Sequence, residues 1–205
     1  MNGASGVLLS VCLALCACGR ATVQGGRSAT AAAPDDPVSF GKLTDFHLTE
    51  RSGREVTRAD LAGRTWIVDF IFTTCSGPCP KLTSNMRKLQ DDLEGTRVGL
   101  LSITVDPETD DAAKLEAYAS SWTADPDRWW FLTGDEAQIH TLMGQCFLLG
   151  VERVEGAPRG EQVTHATRLV VVDRDGALRG YYDGQTEEGR RSALARACAL
   201  DADGP

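Results

Sequence analysis

Residues 66–105, WIVDFIFTTCSGPCPKLTSNMRKLQDDLEGTRVGLLSITV, decide the fold class. The run Trp66 to Phe72 (WIVDFIF) is short, apolar and rich in β-branched and aromatic residues, the pattern of a strand buried on both faces. Pro80 suits the first turn of a helix, where a missing N–H costs nothing, and Leu82, Met86, Leu89 and Leu93 then recur at helical spacing until Gly95 stops them. Arg97 to Val105 (RVGLLSITV) is a second apolar strand. Strand, helix and strand in that order make a parallel crossover, which in a single sheet is right-handed.

Upstream, alternating apolar and polar residues from Leu43 to Val56 flank Arg51-Ser52-Gly53-Arg54 and predict an opening β-hairpin. Downstream, a helix is expected over Asp110 to Ser121, capped by Thr109 or Asp110, then a short strand at Trp129-Trp130-Phe131 and a helix from Asp135 to about Cys146. Thr167 to Asp173 and Ala177 to Asp183 are strands joined by the turn Arg174-Asp175-Gly176, and a last helix runs from about Glu187 to Leu200. This order describes an α/β fold with a mixed central sheet flanked by helices.

The chain has 205 residues, enough for one ordinary domain plus a targeting segment and a linker. A formal charge of −8 with no local Lys/Arg cluster gives the surface the wrong sign for nucleic acid. Val7 to Cys18 (VLLSVCLALCAC) is almost wholly apolar but too short to span a bilayer comfortably, and so reads as a signal-peptide core. No Lys or Arg precedes it, which leaves the α-amino group as the only positive charge there. Leu15-Cys16-Ala17-Cys18 resembles a bacterial lipobox, with Cys18 the lipidated residue; ordinary cleavage without lipid is the plainer alternative. Residues 1–18 are therefore expected to export the domain to the periplasmic side of a membrane, 19–37 to form a flexible tether, and 38–203 to fold.

Export would leave Cys75, Cys79, Cys146 and Cys198 in the folded part. Within Phe72 to Pro80 (FTTCSGPCP), Cys75 and Cys79 stand at the carboxyl end of a central strand and the start of a helix, where open α/β sheets place their ligands. Unpaired N–H groups and the helix dipole are expected to lower the pKa of Cys79, and Gly77-Pro78 to bend the loop so that the sulfurs approach. A structural disulfide is the alternative, though a bridge gains less from closing a short loop than a long one. His165, in Gln162 to Ala166 (QVTHA), could be brought beside that loop by a parallel-sheet crossover. Two thiolates and an imidazole form a soft, low-coordination donor set suited to Cu(I) and workable for Cu(II). A single His is, on its own, more often a surface or core residue than a ligand, which is the reading for His47 and His140. Cys146 and Cys198 read as buried apolar residues, and Asp106, Glu108 and Asp110 as a solvated turn capping the next helix.

Taken together, the Phe-x-x-Cys-x-x-x-Cys-Pro element at 72–80, Asp-Pro-Glu-x-Asp at 106–110, Thr133-Gly134 before a helix, and His165 ahead of an apolar strand and the Asp173-x-Asp175-Gly176 turn resemble the Sco/SenC family. These are copper-handling proteins with a thioredoxin-like fold that act in cytochrome c oxidase assembly. The resemblance implies copper ligation by Cys75, Cys79 and His165. The Ser76-Gly77-Pro78 filling is unusual for that loop, and Cys146 and Cys198 fall outside the family's metal motif.

The resemblance implies a copper metallochaperone whose redox-active pair delivers copper to an oxidase subunit and depends on a periplasmic thiol reductant. Oxidation of the pair would remove the thiolates that bind the metal. The second hypothesis is an exported thiol-disulfide oxidoreductase that reduces a partner's cysteines, the only sense in which an enzyme is expected. Such enzymes use Cys-x-x-Cys facing a proline, whereas this spacing is one residue longer and Val163 to Ala166 contains no proline. A peroxidase would want Thr at the place of Phe72, and a non-catalytic binding module remains a third possibility. Structural zinc would need a closed set of four ligands, with Cys146 as the fourth.

Overall fold

The computed structural model describes residues 39–153, 163–165 and 167–202, without the side chains of 151–153 and 163–165. The expected signal segment with Cys18, the tether, and the first and last residues of the expected domain lie outside the described residues.

The opening hairpin forms from β1 (His47–Glu50) and β2 (Glu55–Thr57), followed by a single turn of helix, α1 (Arg58–Leu61). The central crossover is β3 (Trp66–Ile71), α2 (Cys79–Asp92) and β4 (Gly99–Thr104), with β3 and β4 parallel and paired from Trp66↔Gly99 to Ile71↔Thr104. Next come α3 (Ala112–Ser121), β5 (Trp129–Thr133), α4 (Glu136–Thr141) continuing into a π-helical turn at Leu142–Cys146, and the short pair β6 (Val151–Arg153) and β7 (Val163–His165). The chain closes with the antiparallel pair β8 (Arg168–Val172) and β9 (Leu178–Asp183), then α5 (Glu187–Ala202). The mixed sheet of seven strands has the order β2-β1-β5-β4-β3-β8-β9, so the expected mixed α/β architecture with an N-terminal hairpin is borne out.

Both β3 and β4 are buried along their whole length, as their unbroken apolar runs predict. On α2 the helical stripe Leu82, Met86 and Leu89, together with Leu93 just past its end, is fully buried; each such side chain contributes roughly 1.5–3 kcal/mol. Helices α2 and α5 pack against each other and α5 lies against β3, β8 and β9, while Tyr118 of α3 meets Phe131 of β5 edge-on and hydrogen-bonds Thr83 of α2 at 2.8 Å. Phe147, after the π-helical turn, meets Phe70 of β3 at 5.0 Å between ring centroids. No described helix is long and apolar enough to cross a membrane.

Two expectations are corrected, and one helix lies outside the expected elements. Helix α3 begins at Ala112 with Asp111 as its cap, its carboxylate accepting from the Lys114 N–H at 2.8 Å; Asp110 is fully buried and serves elsewhere. The strand after His165 reaches β3 by antiparallel pairing, Trp66↔Val172 to Val68↔Val170, and not through a parallel crossover. The additional helix is α1, where the Thr57 N–H and Oγ1–H both donate to Asp60 Oδ2, at 2.8 and 2.7 Å, the Asp60 half of a capping box.

Candidate functional site

The carboxyl ends of β3, β4 and β5 converge on one edge, and the segments leaving them are those that carry the quoted motifs: 72–80 after β3, 106–110 after β4 and Thr133-Gly134 at the end of β5. In parallel strands the edge beyond the carboxyl ends is left open for ligands.

The two cysteines on this edge are unequal. Cys75 lies in the loop and is half-buried, whereas Cys79 is the first residue of α2 and is almost wholly buried. Neither forms a disulfide, and the Cys75 side chain acts directly on the Cys79 thiol. Burial drives the Cys79 pKa well above the ordinary thiol range, and the hydrogen bond with Cys75 adds to the rise; a backbone hydrogen bond at Phe72 opposes it. The expected lowering by the helix terminus is thus overturned by desolvation.

Below Cys79 the interior holds two more ionisable groups. Burial raises Tyr118 to about 12, although its hydrogen bond with Thr83 works the other way. Asp69, in mid-β3, is wholly buried, and desolvation pushes its carboxyl up to about 7. Ser102, its partner on β4, donates to Asp69 Oδ1 at 2.5 Å and accepts from Trp129 Nε1 at 2.9 Å. Asp69 Oδ2 has no hydrogen-bond partner among the described residues. The signal in the sequence was a lone carboxylate inside WIVDFIF, which a reading by hydrophobic period passes over.

The acidic turn is the second correction at the site. Asp106 is buried and Asp110 fully so, which a solvated turn would not be. Asp110 Oδ2 accepts from the Thr73 N–H at 2.9 Å and from Thr104 Oγ1 at 2.7 Å, and Asp110 Oδ1 accepts from Thr73 Oγ1 at 2.5 Å. Thr73 stands two positions before Cys75. A buried carboxylate with all its bonds directed at two strand ends is tied into the cysteine loop.

A third segment closes the edge. Thr167, two residues after His165, accepts from the Gly184 N–H at 2.9 Å; Gly184 in turn accepts from Asn85 Nδ2 on α2 at 2.7 Å, and Gln185 Nε2 donates to the Pro78 carbonyl at 3.2 Å. A Cβ on Gly184 would stand 2.2 Å from Leu82 Cδ1 and 2.9 Å from the Thr167 carbonyl oxygen, so only glycine permits this approach. The chain just after His165 is therefore fastened to α2 and to the Cys-x-x-x-Cys loop. His165 itself ends β7, paired with Val151, and its side chain lies outside what is described.

The remaining candidates are elsewhere. His47 is exposed in the hairpin and bonded to Glu55 at 2.7 Å, and His140 pairs with Glu136 one turn away on α4. Cys146 is buried and in contact with Thr44 Oγ1 at 2.9 Å; Cys198 is half-buried on α5, where burial, then the Asp201 charge, raises its pKa. Among the described side chains no group of three or more His, Cys, Asp or Glu is arranged to hold a metal.

A dithiol split across the start of a helix, at the carboxyl edge of a mixed sheet, defines a thioredoxin-like protein. Sequence comparison narrows the class: a SCO1/SenC family model matches residues 37–198, and the chain belongs to that family. It is 32% identical over 175 residues to a SCO1 protein homologue of Bacillus subtilis, covering 84% of this chain and 83% of that one. Among solved structures it is similar to a SCO1/SenC family lipoprotein of Bacillus anthracis, with 30% identity, a TM-score of 0.72 and coverage of 78% and 95%. It is also similar to BsSco, described as a member of the Sco family of cytochrome c oxidase assembly proteins with a disulfide switch, at 29% identity, TM-score 0.70 and coverage of 82% and 97%. ScoI of Bradyrhizobium japonicum, solved with copper bound, is 25% identical with a TM-score of 0.63 and coverage of 78% and 99%. The Sco/SenC resemblance read from the motifs is borne out.

Proposed function

We propose that this chain is a copper metallochaperone that carries copper on Cys75, Cys79 and His165 and hands it to a copper-accepting subunit of a terminal cytochrome c oxidase. The observation that carries the proposal is the juxtaposition of the Cys75 and Cys79 thiols at the start of α2 in a chain of the SCO1/SenC family. Thiolate sulfur and imidazole nitrogen are soft donors that fit Cu(I) and accept Cu(II). The fastening of Thr167 through Gly184 to α2 supports His165 as the third donor, since it sets the chain next to His165 against the helix that begins with Cys79. Copper here is cargo, exchanged ligand by ligand. A Cys75–Cys79 disulfide offers no thiolate, so loading requires the reduced pair and, after oxidation, a thiol reductant. Residues 1–18 would direct export to the periplasmic side of a membrane, Cys18 would carry the lipid anchor, and 19–37 would tether the domain of 38–203.

One observation favours a second reading, in which the chain reduces disulfides of a partner: Cys75 is the more accessible thiol and Cys79 the buried one, as suits an attacking and a resolving sulfur. Copper titration separates the two. The full chain, with Ser at Cys12, Cys16 and Cys18 and fully reduced, should bind one copper, and Cys75→Ser, Cys79→Ser and His165→Ala should each lose most of the affinity. Stoichiometric binding that survives both Cys75→Ser and His165→Ala refutes the site. A wild type that binds no copper yet rapidly reduces a disulfide substrate replaces the first reading with the second.

A further inference from the structure

Asp110 is a buried carboxylate whose recorded side-chain bonds go to two residues, Thr73 and Thr104. Taking a carboxylate out of water costs several kcal/mol unless hydrogen bonds replace its hydration, and three donors do so here. These donors come from the segments that leave β3 and end β4. Thr73 gives the same carboxylate both its N–H and its O–H, which fixes backbone and side chain together. On the other side the turn is closed by its own backbone: the Asp110 N–H donates to the Asp106 carbonyl at 2.9 Å, and the Asp106 N–H to Thr104 Oγ1 at 3.1 Å. After Thr73 the chain is held again where the Cys75 N–H donates to the Phe72 carbonyl at 3.3 Å. The start of the Cys-x-x-x-Cys loop is thereby pinned to the sheet, while its end is fixed by α2.

We propose that Asp110 is a positioning residue for the Cys75/Cys79 pair, holding the loop through Thr73 so that the two sulfurs stand at the separation their joint chemistry requires. This deepens the metallochaperone reading and rests on it as regards copper. Holding two groups in place raises the effective concentration of one at the other, so the anchor favours every state in which both sulfurs act together. Those states are the chelated metal and the disulfide. A part that merely stabilises the fold would weaken dithiol and disulfide forms alike and leave the balance between them unchanged.

The test is the equilibrium in which the two thiols of the pair give two electrons and two protons to glutathione disulfide, forming the Cys75–Cys79 bond and releasing two reduced glutathiones. It is read by alkylation and peptide mass spectrometry on the full chain, alongside copper titration. Asp110→Asn turns one acceptor into a donor facing the Thr73 and Thr104 donors, and Thr73→Val removes the O–H while keeping the N–H. Each should lower the oxidation constant about tenfold, a rise of roughly 30 mV in the pair's potential, and weaken copper binding in parallel. Asp111→Ala, which uncaps α3 without touching the loop, should destabilise the fold and leave the constant within twofold of wild type. An unchanged constant in folded Asp110→Asn, or an equal shift in Asp111→Ala, overturns the proposal; if Asp110→Asn does not fold, Thr73→Val decides. A wild type that binds no copper refutes the metallochaperone reading alone, because the glutathione equilibrium is measured without metal.

Discussion

Replacing Asp69 by Asn should remove a pH dependence that the wild type carries in its interior. The Asp69 carboxyl is held at about 7 by burial, against 3.8 for an ordinary Asp. Between those values the folded chain keeps the proton while the unfolded chain has lost it. The unfolded state therefore binds fewer protons, and stability falls as pH rises. The contribution is fully present below about pH 4 and lost by the time the pH passes about 7. At 1.36 kcal/mol for each pH unit the gap amounts to about 4 kcal/mol. The amide of Asp69→Asn cannot ionise, and its oxygen can still accept from Ser102; its NH2 meets the position where Oδ2 lacks a partner, which costs about 1–3 kcal/mol at every pH. The variant should thus be less stable than wild type near pH 4 and more stable near pH 8. Urea unfolding followed by tryptophan fluorescence, on both proteins reduced and metal-free from pH 4 to 8, measures the difference, in which all other titrations cancel. Two curves that stay parallel within about 1 kcal/mol across that range would refute the account of Asp69.

Copper affinity should rise steeply with pH, by about tenfold per unit for each thiol proton released, because burial holds the Cys79 proton far above neutrality; proton release on loading, measured in a weakly buffered solution, checks it. Copper stoichiometry should be unchanged in Cys146→Ala and Cys198→Ala, with a loss of stability confined mainly to Cys146, the buried one; metal titration and thermal unfolding of each variant read both effects. Gly189→Ala should cost at least about 2 kcal/mol in chemical denaturation: helix propensity favours Ala by about 1 kcal/mol, but its Cβ would stand 2.1 Å from the Asp183 carbonyl oxygen, a backbone atom that cannot step aside.

Where the physics is local and periodic, sequence alone was enough. The apolar runs of β3 and β4, the Leu82-Met86-Leu89-Leu93 stripe and the turn at Arg174-Asp175-Gly176 all fold as their spacing requires. The element order they give is already that of a mixed sheet. What failed were readings that depend on the surroundings of a polar residue. Asp110 sits in a turn rich in acids and looks solvated, but its donors, Thr73 and Thr104, come from the ends of two other strands, and no window around residue 110 contains both. Its place at a helix start predicts a low pKa for Cys79, but the burial that overrides it is set by residues distant in the sequence. Gly184 gives no hint in its own neighbourhood that Leu82 and Thr167 crowd it. The order of the motifs along the chain identified the family because it samples this tertiary edge indirectly: the motifs after β3, β4 and β5 leave the same end of the sheet, while the Asp173-x-Asp175-Gly176 turn, after antiparallel β8, lies at the other.

The unequal cysteines show which force wins at that edge. A helix N-terminus stabilises a nearby anion by about 0.3–1 kcal/mol, at most about 2, which is on the order of one pKa unit. Here the terminus is also poor in donors, since Pro78 caps α2 and Pro80 occupies its first turn, so neither contributes an N–H. Removing a thiolate from water costs more, up to about 3–5 units for a fully buried group, and Cys79 is almost wholly buried. Desolvation therefore prevails, and Cys79 keeps its proton at neutral pH. A metal held there would have to form a bond to the Cys79 sulfur strong enough to expel that proton. Soft ions form such bonds and hard oxygen-seeking cations do not. In the proposed metallochaperone, burial of Cys79 would itself be a selectivity device: by keeping that thiol neutral it withholds a negative charge that would attract any cation, and weights the choice toward ions that bond strongly to sulfur.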